Sequence, residues 1–319
     1  MLVAQRESGV MTTTAQNQPL PSDSNPIPGS APVSATDGPW VRPGAGWIIA
    51  RYVLLAGTMA AATLAPLLVT TPFTSLFERL MDQWEGWYAV YLAFVGILNA
   101  LIAIALVRVI ARRIDLSTLR RCGVIFDRAT APMLLLGVAT AVVLGTGAAF
   151  GVGAFGLLRG DGGTDGYSTW VFIATQLILG LLVQGFPEEL LFRGYLMRHV
   201  PLTIRSAIVL SASLFAILHL VSSGGQENMF ERVLYLAGPF GFALLAGALS
   251  ARLGSLWIAV GIHAGMHVST MVNSLLGMGE GPVLWVVQGA LYTVVAVVLM
   301  VKIPRSQPAS TLQYGAAAR

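Results

Sequence analysis

The stretch Gln184-Gly-Phe-Pro-Glu-Glu-Leu-Leu-Phe-Arg-Gly194 places two adjacent carboxylates, Glu188 and Glu189, in apolar surroundings. The other thirteen acidic residues lie in the N-terminal stretch or in polar connections. Three of the four histidines, His219, His263 and His267, also lie in apolar runs. Ionisable side chains are costly inside a membrane, so they are by default candidates for a functional site.

The composition is that of a polytopic membrane protein. Of 319 residues, 55% are hydrophobic and 11% are charged, against roughly 25% charged in ordinary soluble domains. The net charge of +4 comes almost wholly from arginine, since Lys302 is the only lysine. We interpret these arginines as juxtamembrane residues and expect no nucleic-acid partner. The single cysteine, Cys122, excludes an intrachain disulfide.

Hydrophobic segments of about 20 residues, the length that spans a bilayer, recur after residue 46. They predict an all-α transmembrane bundle of about eight helices within residues 47–302. Residues 1–46 are rich in Ser, Thr, Pro and Gly, which predicts a disordered tail, and residues 303–319 form a short C-terminal tail. The predicted helices lie near 47–70, 87–110, 131–157, 172–197, 203–222, 233–251, 254–276 and 283–302.

The basic residues predict the orientation of this bundle. With the N-terminus in the cytoplasm, sixteen of the nineteen Lys and Arg residues fall on the inner side, and only Arg79, Arg159 and Arg232 fall outside. This is a strong positive-inside bias. We therefore expect an integral, multi-pass protein with both termini in the cytoplasm. The lysine-poor, Ala-, Gly- and Arg-rich composition is compatible with a bacterial plasma membrane.

A glycine-rich match to G-x-G-x-x-G at 151–156 does not indicate a dinucleotide site, because it lies in an apolar helical segment and not in a βαβ unit. We interpret Gly147-x-x-x-Gly151 as a surface for close helix packing.

The acidic stretch predicts two different roles for its carboxylates. Glu189 and Arg193 are four residues apart, so they share a helix face and can pair. Glu188 lies about 100° round the helix and has no partner within it. An unpaired carboxylate in apolar surroundings suits general acid–base catalysis. Pro187 predicts a local kink.

The fifth predicted helix carries Phe215-x-x-x-His219. Counting back from the connection near Pro201 puts Glu188 level with about residue 215, so His219 is offset from it by roughly 6 Å. A tilt or a kink at Pro187 could close this gap.

His263 and His267 on the seventh predicted helix are four residues apart and point the same way. Such a pair can bind one metal ion, or it can donate hydrogen bonds to a developing oxyanion. Each polar feature alone also has a structural interpretation: a packing histidine, or a Glu–Arg clamp. Their joint occurrence on three helices that can meet at one place favours a functional site.

Three motifs in this order resemble those of the CPBP family, the CAAX-protease and bacteriocin-processing (Abi) intramembrane proteases. The resemblance covers roughly residues 170–270. It departs at position 267, where asparagine is common and this chain has histidine. The motifs are Glu188-Glu189-x-x-x-Arg193, Phe215-x-x-x-His219 and His263-x-x-x-His267.

The resemblance implies an intramembrane endopeptidase acting on a membrane-associated peptide or protein. Glu188 and His219 would activate water, His263 and His267 would stabilise the oxyanion, and Glu189 and Arg193 would hold the site in shape. The family is often described as metalloproteases, although a metal-free glutamate mechanism is also argued for relatives. Glu188, His219, His263 and His267 form a donor set sufficient for a divalent metal such as zinc.

Two other functions stay open at this point. A silent immunity or scaffold protein would keep the fold without the reaction. A proton-coupled transporter could also use buried Glu and His, although the two halves of the chain show no convincing repeat.

Overall fold

The computed structural model describes residues 44–222 and 224–315, and these residues are almost entirely helical. The predicted disordered tail, 1–46, lies outside the described residues except at 44–46, where the first helix already begins.

Twelve α-helices are described, with one two-stranded antiparallel sheet formed by β1 and β2. The helix that carries the acidic stretch is interrupted by two π-helical segments, π1 and π2. In chain order the elements are α1 Ala45–Thr70, α2 Thr74–Gln83, α3 Gly86–Ile114, α4 Thr130–Ala154, β1 Arg159–Asp161, α5 Thr169–Ile178, π1 Leu179–Val183, α6 Gly185–Glu189, π2 Leu190–Leu196, α7 Met197–His199, α8 Ile204–Leu218, α9 Met229–Tyr235, α10 Ala237–Leu253, α11 Leu256–Leu275, β2 Met278–Glu280 and α12 Pro282–Val301. Short 3₁₀ turns occupy Thr71–Phe73, His219–Val221 and Ala309–Thr311.

Seven helical runs of the described chain are long and apolar enough to cross a membrane, which confirms the predicted polytopic bundle. They span Ala45–Gln83, Gly86–Ile114, Thr130–Ala154, Thr169–His199, Ile204–Val221, Met229–Leu253 and Pro282–Val301.

The seventh predicted helix, 254–276, is not among these runs. It corresponds to α11, which is long enough to span but less apolar than the seven runs. Its polar residues include His263, His267 and Asn273, and more than half of its residues are buried inside the bundle. A helix shielded by its neighbours needs no lipid-facing apolar surface. The polar residues of α11 are therefore accommodated by protein and not by lipid.

The α4 and α11 helices approach each other through glycine. A methyl group built on Gly137 would lie 2.3 Å from the carbonyl oxygen of Ile258, and one on Gly261 would lie 2.1 Å from that of Leu134. Backbone oxygens cannot move aside, so only glycine fits at these positions. This seam brings α11 and its histidines into the centre of the bundle.

The interpretation of Gly147-x-x-x-Gly151 as a packing surface is wrong for the described chain. Methyl groups on Gly147 and Gly151 would meet nothing within 4 Å. Gly145, which faces Ser269 and Tyr292, is the contact residue instead. Two residues turn a helix by about 200°, so Gly147 points away from the face that Gly145 packs.

Asp115, which the sequence places in a polar connection, is a further carboxylate that is shielded from solvent, besides Glu188, Glu189 and Glu231. Its side chain is only 3% exposed and is paired with Arg51 of α1. Arg51 Nη1 also donates to the hydroxyl of Tyr195 at 2.7 Å, and that hydroxyl donates to Asp115. The network ties α1 and the end of α3 to π2.

The described part of the predicted C-terminal tail, residues 303–315, is packed against the bundle. Ile303, Leu312 and Tyr314 are buried, and the Tyr314 hydroxyl donates to the backbone carbonyl of Arg193 at 2.8 Å. The Cys122 thiol is also fully buried, and this burial raises its pKa to about 12. A buried thiol of this kind is an inert packing residue.

We expect Gly137→Ala to destabilise the protein by about 1–3 kcal/mol, because the added methyl group has no room against α11. Gly147→Ala is the matched control on the same helix, and its methyl group meets open space. Thermal unfolding of the two variants in one detergent measures the difference. Equal stability of Gly137→Ala and Gly147→Ala would contradict the close approach of α4 and α11 at Gly137.

Candidate active site

The acidic stretch sits in a helix whose turns are widened on both sides of it. The backbone N–H of Gln184 donates to the carbonyl of Leu179, five residues back, at 3.0 Å. A methyl group on Gly185 would lie 2.0 Å from the carbonyl oxygen of Gly180. The irregularity expected at Pro187 thus takes the form of π turns that flank α6. Such turns frequently occur at functional sites.

Glu189 and Arg193 form the ion pair that their spacing predicts. Arg193 Nη1 donates to Glu189 Oε1 at 3.0 Å, and both side chains are fully buried. The Arg193 guanidinium also lies 4.9 Å from the centre of the Phe215 ring. This aromatic face covers the cation on the side of α8.

His263 of α11 lies between the two carboxylates. Its Nδ1 donates to Glu189 Oε1 at 3.2 Å, and its Nε2 lies 3.9 Å from Glu188 Oε2. A distance of 3.9 Å is too long for a direct hydrogen bond. Glu188 Oε2 is buried and has no hydrogen-bond partner among the described residues. Glu188 is therefore the carboxylate of the site without an ion-pair partner within hydrogen-bond distance, whereas Glu189 is paired through its Oε1 with a cation and an imidazole. Glu189 Oε2 has no hydrogen-bond partner among the described residues.

His219 begins the 3₁₀ turn that follows α8, and it is held from its own helix. Its Nδ1 donates to the carbonyl of Phe215 at 3.0 Å, and its ring packs on the Phe215 ring at 4.5 Å. The Phe215 ring also meets the His263 ring edge to face at 6.1 Å. Within the described chain, His219 makes no direct hydrogen bond to the other predicted site residues.

The predicted level of His219 is wrong by about one helical turn. The rings of Phe192 and Phe215 are in contact at 5.2 Å. Since the two helices run antiparallel, Glu188, four residues before Phe192, is level with His219, four residues after Phe215. The count assumed that both helices leave the connection at the same level, whereas Val200 and Thr203, which join them, are extended. The sequence count had placed His219 about one turn from Glu188, whereas in the structure the two residues lie at the same level.

His267 lies one turn beyond His263 on the same face of α11. The two rings are parallel, with centres 5.7 Å apart. His267 Nε2 donates to Gln184 Oε1 at 2.8 Å. The contact joins α11 to the junction between π1 and α6.

Gln184 is not among the predicted site residues, although it lies one turn before Glu188 in the acidic stretch. The signal was available: a lone amide in an apolar segment, on the same helix face as the free carboxylate. Asn99 of α3 was missed in the same way. Its amide donates to the carbonyl of Val183 at 2.6 Å and supports π1 from behind.

The side chains of the predicted zinc ligands are not arranged around a common point in the described chain. No group of three or more His, Cys, Asp or Glu side chains in the described chain is arranged to hold a metal ion. One nitrogen of each of His219, His263 and His267 is already used, on Phe215, Glu189 and Gln184 respectively. The second nitrogen of each ring stays free, which is also the pattern of metal-binding histidines, and the zinc site stays a prediction.

Removal of one partner of the Glu189–Arg193 pair should be more damaging than removal of both charges. We expect Arg193→Met to destabilise the protein by about 3–5 kcal/mol, because Glu189 would be left buried without its cation. Glu189→Gln combined with Arg193→Met should recover much of that loss. Unfolding in detergent measures the stability of both variants. A double variant no more stable than Arg193→Met would contradict the role of Glu189 and Arg193 as a buried ion pair.

The comparisons with known proteins concern this region of the chain. The family model described as "Type II CAAX prenyl endopeptidase Rce1-like" matches residues 169–269, which include all six predicted site residues. No curated protein and no solved structure matches the chain. The matched region runs from α5 to α11, and helices α1 to α4 lie outside it. Residues 169–269 therefore form an Rce1-like segment of an integral multi-pass membrane protein, and the resemblance to the CPBP intramembrane proteases is confirmed there.

Proposed function

We propose that this protein is an intramembrane endopeptidase that hydrolyses a peptide bond of a membrane-associated substrate with water activated by Glu188. The observation that carries the proposal is the buried, unpartnered carboxylate of Glu188, 3.9 Å from His263 in an Rce1-like segment. A structural carboxylate at such a place would be paired, as Glu189 is.

Glu188 is the general base of the proposed reaction. It takes a proton from water as the water oxygen bonds to the carbonyl carbon, and the carbonyl becomes a tetrahedral oxyanion. The proton then passes to the leaving nitrogen as the carbon–nitrogen bond breaks. Products are a carboxylic acid and an amine, and the carboxylate of Glu188 is restored.

His263 and His219 assist this proton transfer. Glu189 accepts the Nδ1–H of His263, so the neutral ring turns its Nε2 lone pair toward Glu188. This is the arrangement in which a carboxylate orients an imidazole base and stabilises its protonated form. His219 likewise uses Nδ1–H on a carbonyl and keeps Nε2 for the site. The positive charge of Arg193 favours the ionised form of Glu189, which this role requires.

The substrate class follows from where the site lies. Glu188 is 7% exposed and lies well inside the helix run Thr169–His199. A peptide held close to the bilayer by a lipid anchor or a transmembrane segment reaches such a site more readily than a soluble one. We propose such peptides as substrates, in a bacterial plasma membrane, with both termini of the protein in the cytoplasm.

Glu188→Gln should lower the rate of peptide cleavage by about 10²–10⁴-fold, since the amide keeps the shape of the side chain but cannot accept the proton. Purified protein in liposomes would be tested on a prenylated peptide and on a transmembrane peptide. Glu78→Gln on exposed α2 is the control with the same chemical change.

Cleavage by Glu188→Gln at the wild-type rate would contradict the proposed role of Glu188 as the general base. If neither peptide is cleaved by the wild type, and the biological effect of the protein survives Glu188→Ala, a scaffold or immunity role would replace it. Metal analysis of the same wild-type preparation tests the zinc prediction.

A further inference from the structure

Gln184 and Glu188 face His267 and His263 across the same helix interface. Gln184 lies four residues before Glu188, and His267 lies four residues after His263. The contacts are 2.8 Å between Gln184 and His267 and 3.9 Å between Glu188 and His263. Because the two helices run antiparallel, these contacts form two successive rungs of one site.

The hydrogens of the three site histidines are already used. His219 gives its Nδ1–H to a backbone carbonyl, and His263 gives its Nδ1–H to Glu189. His267 gives its Nε2–H to the carbonyl oxygen of Gln184. A neutral imidazole has one N–H. None of the three rings therefore has an N–H left for an oxyanion, and the second nitrogen of each carries a lone pair, which suits proton transfer and does not suit stabilisation of an oxyanion.

The amide NH₂ of Gln184 supplies the donor that the histidines lack. Its oxygen is engaged by His267, and this bond uses neither hydrogen of the amide nitrogen. Gln184 is partly exposed, so a substrate can reach it. Arg193 also has free N–H groups at Nε and Nη2, but its side chain is fully buried behind Glu189 and Phe215.

We propose that Gln184 is a catalytic residue whose amide NH₂ donates to the oxyanion of the tetrahedral intermediate, and that His267 is a positioning residue that orients this amide. The proposal rests on the proposed function and extends it. It gives position 267 a role that differs from direct contact with the oxyanion, and it places the oxyanion one turn from Glu188.

The backbone holds Gln184 where this role needs it. The residue joins π1 to α6 with φ −117° and ψ −56°. Its N–H donates to Leu179 and its carbonyl accepts from Glu188 at 2.9 Å, so the backbone is fixed at both ends. A methyl group on Gly180 would lie 3.0 Å from Cβ of His267, which shows how closely π1 approaches α11. A donor fixed before the reaction costs no reorganisation during it.

The test compares Gln184→Met, which removes the amide but keeps the length of the side chain, with Gln176→Met on the same helix. We expect Gln184→Met to lower kcat by about 10²–10³-fold with KM little changed, the usual effect of losing one oxyanion donor. Affinity for a phosphinate analogue of the scissile bond should fall by a similar factor. Gln176→Met should leave kcat, KM and this affinity unchanged.

Gln184→Glu gives a second readout if the methionine variant does not fold, because it keeps the acceptor for His267 and loses the NH₂ group. The same loss of kcat and of phosphinate affinity is expected. A kcat within about threefold of wild type in either folded variant, or equal loss of affinity for substrate and phosphinate, would overturn the proposal. Failure of Glu188→Gln to reduce cleavage would instead overturn the proposed function, so the two failures are distinguishable.

Discussion

One buried oxygen, Oε1 of Glu189, accepts hydrogen bonds from both Arg193 and His263, and the site depends on this junction. The contacts are 3.0 and 3.2 Å, and all three side chains are almost completely buried. The arginine balances the charge of the carboxylate, and the carboxylate orients the imidazole. The neighbouring residue, Glu188, is left without a cation of its own and faces the opposite nitrogen of the same ring. Because Arg193 pairs with Glu189, the carboxylate of Glu188 stays without an ion-pair partner.

Close approach of helices makes this junction possible. The glycine seam between α4 and α11 holds α11 in the middle of the bundle, and Gly180 and Gly185 let π1 and α6 come against it. The π turns then direct Gln184, Glu188 and Glu189 toward α11. Behind the site, Asn99 and Tyr314 bond to backbone carbonyls of the same helical run and keep its irregular turns in place.

The sequence was sufficient for the features that depend on local spacing and composition. Apolar runs of bilayer length located the eight predicted helices to within a few residues, because lipid constrains every exposed position, whereas the less apolar α2 was not predicted. The i,i+4 rule placed Glu189 with Arg193 and His263 beside His267.

The features that the sequence did not predict depend on contacts between distant segments. Burial of Asp115 requires Arg51, which is 64 residues away. The level of His219 depends on how the extended connection between Val200 and Thr203 joins the two helices. The packing face of α4 is chosen by its neighbours, so Gly145 and not Gly147 is in contact. Gln184 has a role only once His267 is known to face it.

A disulfide across the interface would test most directly that the carboxylates of α6 face the histidines of α11. With Cys122→Ser as background, Gly180→Cys and His267→Cys would place two Cβ atoms about 3.0 Å apart, and a small separation of the backbones reaches the spacing of disulfides. Gly180→Cys with Ser274→Cys is the control, because residue 274 lies about 10 Å further along α11. The account predicts that mild oxidation links 180 to 267 and not to 274, as read by mass spectrometry of the digested protein. A link to 274 and none to 267 would contradict it.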